Sequence, residues 1–255
     1  GVDLEKIARS TPGFSGADLE NLLNEASLYA GRNKRNEIAM EDIDKARDKV
    51  LMGLERDGME IGEDEKKMLA YHEAGHALVA AVLPHSDPIH KVTIIPRGKA
   101  MGVTQQLPEK EKYIYKREYL LDRLAVIMGG RAAEDLIFET STSGAQDDLK
   151  QVAKLSRKMV LDLGMTDRFG HVSFGSEEQE IFLGRDMSQK QEYSDATARE
   201  IDEEVQKISK EAFERAKNTL VENQDVLDKV AELLLEKEEI SGKEVDKLLD
   251  KKESD

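Results

Sequence analysis

The run Tyr71–His76, which reads YHEAGH, constrains this chain more than any other stretch of its sequence. Apolar residues recur around it at steps of three and four, and alanines fill the intervening turns, a pattern typical of a helix. Side chains four residues apart lie one turn above each other on the same helical face. The spacing therefore predicts that the imidazoles of His72 and His76 point the same way and can share one metal ion.

Glu73 follows His72 by about 100° of helical rotation. This rotation turns Glu73 too far from the face of the two histidines for it to be a third ligand, but it can still reach a water bound to the metal. Two neutral imidazoles, an open coordination position and a nearby carboxylate are the parts of a zinc hydrolase. The alternative is a pair of hydrogen-bonded core histidines, and it is less favoured because an unpaired imidazole in an apolar stripe is costly.

Composition limits the other possibilities. The net charge of −15, with 36% charged residues, argues against nucleic acid as a partner. There is no cysteine, so a metal must be held by histidine and carboxylate. The apolar runs are far shorter than a membrane span and the N-terminus has no signal-peptide pattern, so we expect a soluble piece.

The order of helix and strand patterns along the chain predicts two structural units. Residues 1–57 read as a small helical unit, in which Ser15 and Asp18 form a capping box at the start of a helix. A polar linker at Glu55–Glu65 leads into residues 58–255, where helical periods dominate and a short strand pattern occupies Ile89–Leu107. We therefore expect a mainly α protein with a small β-sheet.

The second strand of that pattern, Gly102–Leu107, is expected beside the metal. An unpaired edge there could hold an extended peptide by strand addition. An ordinary sheet edge packed on the core is the equally simple alternative.

A third ligand has two candidates in the sequence. Stepping back by helical turns from Met159 reaches Asp148, whereas Asp147 aligns with polar residues on a solvated face. Asp148 is therefore an inward-facing carboxylate in the first turn of a helix that starts near Ala145. Glu134 is the alternative, because it falls on the apolar stripe of a helix predicted at Arg117–Phe138, where it could instead orient a ligating histidine.

Longer motifs then point to a family. The phrase Thr11–Leu19 resembles the C-terminal helical lid of AAA+ ATPases, and no glycine-rich phosphate loop precedes it. Over nearly its whole length the chain resembles the FtsH family of membrane-anchored, ATP-dependent zinc metalloproteases. The motifs that carry this resemblance are Gly13–Leu19, Ala70–Ala77, Lys91–Gly98, Gly129–Glu134, Thr142–Ala145 leading to Asp148, and Ser194-Asp195 before the helix with Ile201-Asp202.

The resemblance implies an AAA+ lid at residues 1–57 and a helical zinc endopeptidase domain at residues 58–255. It also implies that Zn²⁺ is held by His72, His76 and Asp148, that Glu73 is the catalytic base, and that unfolded or membrane proteins are substrates. A ring of six subunits on the cytoplasmic side of a membrane is implied as well. We expect the chain to be a fragment that lacks the ATPase core and the membrane anchor. One local departure is Asp147, where the family often has a neutral residue.

A different class of function is a helical interaction domain of an AAA+ assembly whose metal site is structural or lost. A closed site with four protein ligands would favour it, but the spare histidines His85, His90 and His171 have no spacing that completes one. The intact Glu73 also argues for an enzyme.

Overall fold

The computed structural model of the chain describes residues 2–56, 61–98, 100–108, 112–174 and 193–253. Helices dominate these ranges, and three short strands form one sheet, so the predicted fold class is confirmed. The helices are α1 (Leu4–Ser10), α2 (Gly16–Arg32), α3 (Met40–Met52), α4 (Glu63–Val82), α5 (Arg117–Phe138), α6 (Gln146–Leu161), α7 (Asp195–Glu222), α8 (Gln224–Lys237) and α9 (Gly242–Glu253). The strands are β1 (Ile89–Thr93), β2 (Val103–Gln106) and β3 (Glu239–Ser241).

The first three helices have a small core of their own, separate from the larger core behind them. Leu22 and Ala26 of α2 pack there against Ile43 and Ala46 of α3. The predicted capping box is confirmed, since the Ser15 hydroxyl accepts from the Asp18 N–H and the Asp18 carboxylate accepts from the Ser15 N–H at 2.8 Å.

Helix α4 lies at the centre of the larger unit. It packs against α5, α8, β1 and β2, so residues around its whole circumference are buried between Ala70 and Ala80. The sequence predicted a single apolar stripe instead. The alanines explain the difference, because small side chains let neighbouring elements approach the helix on several sides at once.

Helices α4 and α5 cross at close range through glycine. A Cβ placed on Gly129 would lie 2.7 Å from the carbonyl oxygen of Gly75, a distance that real Cβ contacts do not reach. Two glycines inside one helix, Gly129 and Gly130, predict that another backbone lies close to them, and for Gly129 this prediction is confirmed. This crossing brings the centre of α5 onto the histidine face of α4.

The sheet has the order β2-β1-β3, and both pairs are antiparallel. Val92 of β1 lies opposite Thr104 on one side and Ile240 on the other. Strand β3 was not predicted, because three residues between two helices are too few to show alternation. Among the described residues, β2 is paired on one side only and is an edge strand.

Ionic contacts connect α3 with β1. Lys91 of β1 is 8% exposed and forms ion pairs with Asp48 of α3 and with Glu239, the latter at 3.1 Å. The centre of the predicted linker, with the proposed domain boundary after residue 57, lies outside the described residues. Just before it, Glu55 forms an isolated β-bridge and an ion pair with Arg97.

None of the helices in the described part of the chain is both long enough and apolar enough to cross a lipid bilayer.

Candidate metal centre and active site

The two histidines of α4 meet as their spacing predicts. Both are buried, His72 at 8% and His76 at 9% exposure, and their rings lie edge to face with centroids 4.7 Å apart. Their Nε2 atoms are 3.0 Å from each other. Two nitrogen donors therefore point into the same small space.

Asp148, in the first turn of α6, supplies a third donor atom to that space. Its Oδ2 lies 3.2 Å from Nε2 of His72 and 3.3 Å from Nε2 of His76. Within the described residues, these three side chains are the group whose ligand atoms all lie close enough to share a metal ion. Its neighbour Asp147 is 81% exposed and pairs with Lys150 at 2.9 Å, on the solvated face that the helical period indicates.

The three donor atoms fit Zn²⁺. Zinc bonds of about 2.0–2.1 Å in a tetrahedron require ligand atoms about 3.3 Å apart. The triangle of Nε2, Nε2 and Oδ2 has edges of 3.0, 3.2 and 3.3 Å. Two imidazoles with one carboxylate are also a donor set typical of catalytic zinc, in which the fourth position stays open.

Glu134 lies behind His72, on the other side of the imidazole from Asp148. Its Oε1 is 2.8 Å from Nδ1 of His72, and its carboxylate accepts from the N–H of Thr142 at 3.0 Å and from the Thr142 hydroxyl at 2.9 Å. Burial opposes the charge of Glu134, but these hydrogen bonds outweigh burial and lower its pKa. Glu134 is thus an anionic acceptor that orients His72, and this geometry favours Asp148 over Glu134 as the third ligand.

His76 is oriented by the backbone of α5. Its Nδ1 lies 2.7 Å from the carbonyl oxygen of Val126, which can only accept a hydrogen bond. The neutral ring therefore carries its proton on Nδ1 and keeps the lone pair of Nε2 for a metal. The Gly130 N–H also approaches Nδ1, but at 3.3 Å this is the weaker contact.

Gly130 makes room for both rings. A Cβ at this position would lie 2.5 Å from Cε1 of His72 and 2.6 Å from Nε2 of each histidine. The sequence alone predicts a close backbone contact for Gly129 and Gly130 alike. Only the three-dimensional crossing of α4 and α5 separates their roles.

Glu73 is buried beside the donor triangle, 5% exposed, and does not belong to it. The hydroxyl of Thr104 in β2 donates to Oε2 of Glu73 at 2.9 Å, and a Cβ on Gly102 would lie 2.7 Å from Oε1. Burial raises the pKa of Glu73 above its usual value, and the nearby histidines partly oppose this. A carboxylate with a raised pKa is suited to exchange a proton with water near neutral pH.

His72 and Asp148 shift each other's pKa in opposite directions. Burial opposes protonation of His72, but its hydrogen bonds to Asp148 and Glu134 outweigh burial and raise its pKa to about 10. Burial also opposes ionisation of Asp148, yet the hydrogen bonds with the histidines hold its pKa below the usual range. A proton therefore occupies the donor triangle in the absence of metal, and a bound cation would replace it.

The spare histidines lie in other surroundings. Nδ1 of His85 is 3.2 Å from Oδ2 of Asp122, and Nε2 of His90 is 3.0 Å from Nη2 of Arg47. His171 is exposed. None of them belongs to the group formed by His72, His76 and Asp148 among the described residues.

Three residues of the candidate site were not predicted from the sequence: Thr104, Gly102 and Gly130. The predicted strand Gly102–Leu107, which includes Thr104, was expected beside the metal. A strand pattern does not show which of its side chains reaches Glu73. Each of these contacts joins residues about 30 or more positions apart, and local periodicity carries no signal for such contacts.

Comparisons with known proteins identify the family of the chain. The sequence profile of peptidase family M41 matches residues 59–248, and that of the AAA+ lid domain matches residues 1–45. The chain is 66% identical over 230 residues to ATP-dependent zinc metalloprotease FtsH 2 of Salinibacter ruber, which covers 90% of this chain and 34% of that protein. It is 50% identical over 230 residues to ATP-dependent zinc metalloprotease FtsH of Nitrosococcus oceani, covering 90% of this chain and 36% of the relative.

The chain thus spans about a third of the length of the curated relatives it matches. The family match nevertheless extends over most of the chain and includes the histidine pair, Glu73, Glu134 and Asp148. On this match, the chain belongs to peptidase family M41.

Proposed function

We propose that this chain is a zinc-dependent endopeptidase and the proteolytic part of an ATP-dependent AAA+ protease. The observation that carries the proposal is the triangle of donor atoms from His72, His76 and Asp148 beside the buried Glu73. The names of the relatives and the resemblance of the lid phrase support the ATP-dependent assembly.

In this proposal His72, His76 and Asp148 hold Zn²⁺, and Glu73 is the general base. Bound zinc supplies a Lewis acid that polarises the scissile carbonyl and acidifies water. Glu73 takes the proton of the attacking water and later delivers it to the leaving amine. Its burial and its hydrogen bond from Thr104 hold the carboxylate in one position for both transfers.

The surrounding residues keep the ligands in place. Glu134 and the carbonyl of Val126 bind the Nδ1 atoms of the two imidazoles, so that both Nε2 atoms remain available. Such partners fix the orientation of ligating histidines and increase their basicity. The absence of a side chain on Gly130 leaves space for both rings.

We propose that substrate binds along β2. Thr104 contacts Glu73, and the strand is an edge strand among the described residues, so an extended peptide paired with it would pass the proposed base. Backbone pairing of this kind depends little on side chains, which suits the unfolded or membrane proteins expected as substrates.

The assembly is also a proposal. We infer a lid at residues 1–57 and a protease domain at residues 58–255, in a ring of six subunits on the cytoplasmic side of a membrane. The separate small core of α2 and α3 supports the division of the chain. The ring and its location rest on the resemblance alone.

Glu73→Gln tests the proposed function. The substitution removes the base and leaves the three ligands, so we expect peptide cleavage to fall at least 100-fold while the chain keeps one zinc ion. Cleavage of a fluorogenic peptide and metal analysis of the same sample are the measurements. The matched control is Glu65→Gln, an exposed position on the same helix. This substitution should change neither the rate of peptide cleavage nor the zinc content.

Loss of stoichiometric zinc in Glu73→Gln would show that Glu73 is a ligand and not the base. Full activity in this variant, or no zinc-dependent cleavage by the unaltered chain, would contradict the proposed function.

A further inference from the structure

A cavity of about 480 Å³ lies beyond the end of β2, and the proposed chemistry does not use it. Gln106, the last residue of β2, lines this cavity, as do Ser86 and Asp87 from the turn after α4. The side-chain amide of Gln106 donates to Oγ of Ser86 at 2.8 Å and to the carbonyl of Asp87 at 2.6 Å. The end of the edge strand and the wall of the cavity therefore form one continuous surface.

Aromatic rings form another wall of the cavity. Tyr115 and Tyr119 are stacked, with centroids 5.4 Å apart and planes 19° from parallel. The Tyr119 hydroxyl donates to Asp87 at 2.6 Å, so this residue offers mainly its ring to an occupant. Such a wall suits a flat or apolar side chain, because aromatic rings favour stacked and edge contacts with one another.

The charged residues of the cavity are mostly basic. Lys112 lies 4.1 Å from the centroid of the Tyr119 ring and pairs with Asp87 at 2.6 Å, and Arg123 also lines the cavity. The cations can interact with the face of an aromatic occupant, and they would repel a lysine or arginine. The cavity therefore favours an aromatic or large apolar side chain over a basic one.

Helix α5 gives the distance from the cavity to the donor triangle. Gly130 touches the imidazoles, and the cavity residues Arg123 and Tyr119 precede it by seven and eleven positions on the same helix. At a rise of about 1.5 Å per residue, these two cavity residues lie roughly 10–16 Å from Gly130 along the axis of α5. An extended peptide advances about 3.3 Å per residue, so it reaches the cavity about three to five residues from the donor triangle.

The direction follows from the strand. β2 runs from Thr104, in contact with Glu73, to Gln106 at the cavity. Both pairs of the sheet are antiparallel. A peptide that continues this arrangement runs from the cavity toward Glu73, which places the occupant of the cavity on the N-terminal side of the cleaved bond.

We propose that this cavity is a specificity subsite for an aromatic or large apolar residue located three to five positions N-terminal to the cleaved bond. The proposal rests on the proposed peptidase function and names a preference of the same site.

A scan of one phenylalanine through dodecapeptides of alanine and serine tests the subsite. The zinc-loaded chain is incubated with each peptide, and mass spectrometry of the products counts the residues between the phenylalanine and the cleaved bond. We expect the cleaved bond to move with the phenylalanine at an offset of three to five residues. Cleavage of the best peptide should be about tenfold more efficient than that of the peptide without phenylalanine, since a large apolar side chain is buried.

Tyr115→Ala should remove this preference, and Tyr115→Phe should retain it because the ring remains. Tyr115 is 43% exposed, so its truncation leaves the core intact. Ile114→Ala is the matched control, because the adjacent Ile114 is 89% exposed and does not line the cavity. A cleaved bond that does not follow the phenylalanine, or a preference that survives Tyr115→Ala, would overturn the subsite.

If none of the peptides is cleaved, the proposed function fails and binding decides the subsite separately. Fluorescence anisotropy then compares fluorescein-labelled peptides with and without phenylalanine. About tenfold tighter binding of the phenylalanine peptide, lost in Tyr115→Ala, supports the subsite. Equal binding overturns it.

Discussion

Replacing Gly130 with alanine should empty the proposed zinc site while the fold persists. The added Cβ would lie 2.6 Å from Nε2 of both His72 and His76, whereas ordinary contacts begin at 3.4 Å. At least one imidazole must therefore retreat by roughly 0.8 Å, the difference between these two distances. The hydrogen bonds at Nδ1 resist this movement, because Glu134 and the Val126 carbonyl hold the far sides of the rings.

The magnitude follows from the tolerance of metal sites. Metal–ligand distances in functional sites lie within about 0.2 Å of their usual values. A displacement of an imidazole by roughly 0.8 Å therefore removes that histidine from the zinc. We expect zinc affinity to fall at least 100-fold, or about 2.8 kcal/mol. The helix itself gains about 0.4–1 kcal/mol when glycine becomes alanine in an unstrained position, which offsets part of the cost of moving the rings.

Competition with a chromophoric chelator measures the zinc affinity, and urea denaturation of the metal-free chain measures the fold. Two further glycines are controls. Gly31→Ala in α2 has no atom within 4 Å of the added Cβ and should change neither quantity adversely. Gly129→Ala drives its Cβ to 2.7 Å from the Gly75 carbonyl and should destabilise the fold by about 1–3 kcal/mol. Zinc affinity in Gly130→Ala equal to that of the unaltered chain would refute the reasoning.

Two other predictions concern Thr104 and Glu244. Thr104→Val removes the hydrogen bond to Oε2 of Glu73. We therefore expect kcat for peptide cleavage to fall about tenfold while the zinc content stays unchanged. An unchanged kcat would show that this hydrogen bond does not position the base. Hydrogen bonds from Lys237 and Ser241 lower the pKa of Glu244 from 4.5 to about 2. The ionised Glu244 therefore contributes fully to the stability of the folded chain above pH 4.5, and this contribution is lost as the pH falls through about 2. In urea denaturation of the metal-free chain, Glu244→Gln should therefore be less stable than the unaltered chain at pH 6, and the two should converge near pH 2; a gap that is constant with pH would contradict this.

The sequence predicted the helices around the site closely because their signals are local. The bounds predicted for α5 are those observed, Arg117–Phe138, and α4 ends two residues before Pro84, which cannot continue a helix. The i, i+4 rule likewise predicted that His72 and His76 face the same space. The helical period of α6 separated Asp148 from Asp147 without any knowledge of what lies opposite.

Contacts between distant parts of the chain could not be predicted in this way. The sequence left two roles open for Glu134, and only the packing of α5 on α4 shows that it contacts His72 at Nδ1. The hydrogen bond of Thr104 with Glu73 likewise depends on how β2 packs on α4. Strand β3 is three residues long and exists because β1 offers an edge to it. The burial of α4 on several sides also follows from its neighbours, whereas its own sequence shows one stripe.

The most direct test of the central claim is the zinc content of Asp148→Asn measured beside Asp147→Asn and Glu134→Gln. A one-residue step turns a helical side chain by about 100°, so the two adjacent aspartates cannot both face the histidine pair. We predict that Asp147→Asn keeps one zinc ion per chain and that Glu134→Gln binds zinc about 10–100-fold more weakly, as expected when the partner of a ligating histidine is changed. Asp148→Asn should lose stoichiometric zinc together with peptide cleavage, because a neutral amide replaces an anionic ligand. Full zinc and activity in Asp148→Asn, with both lost in Glu134→Gln, would contradict the ligand set of His72, His76 and Asp148.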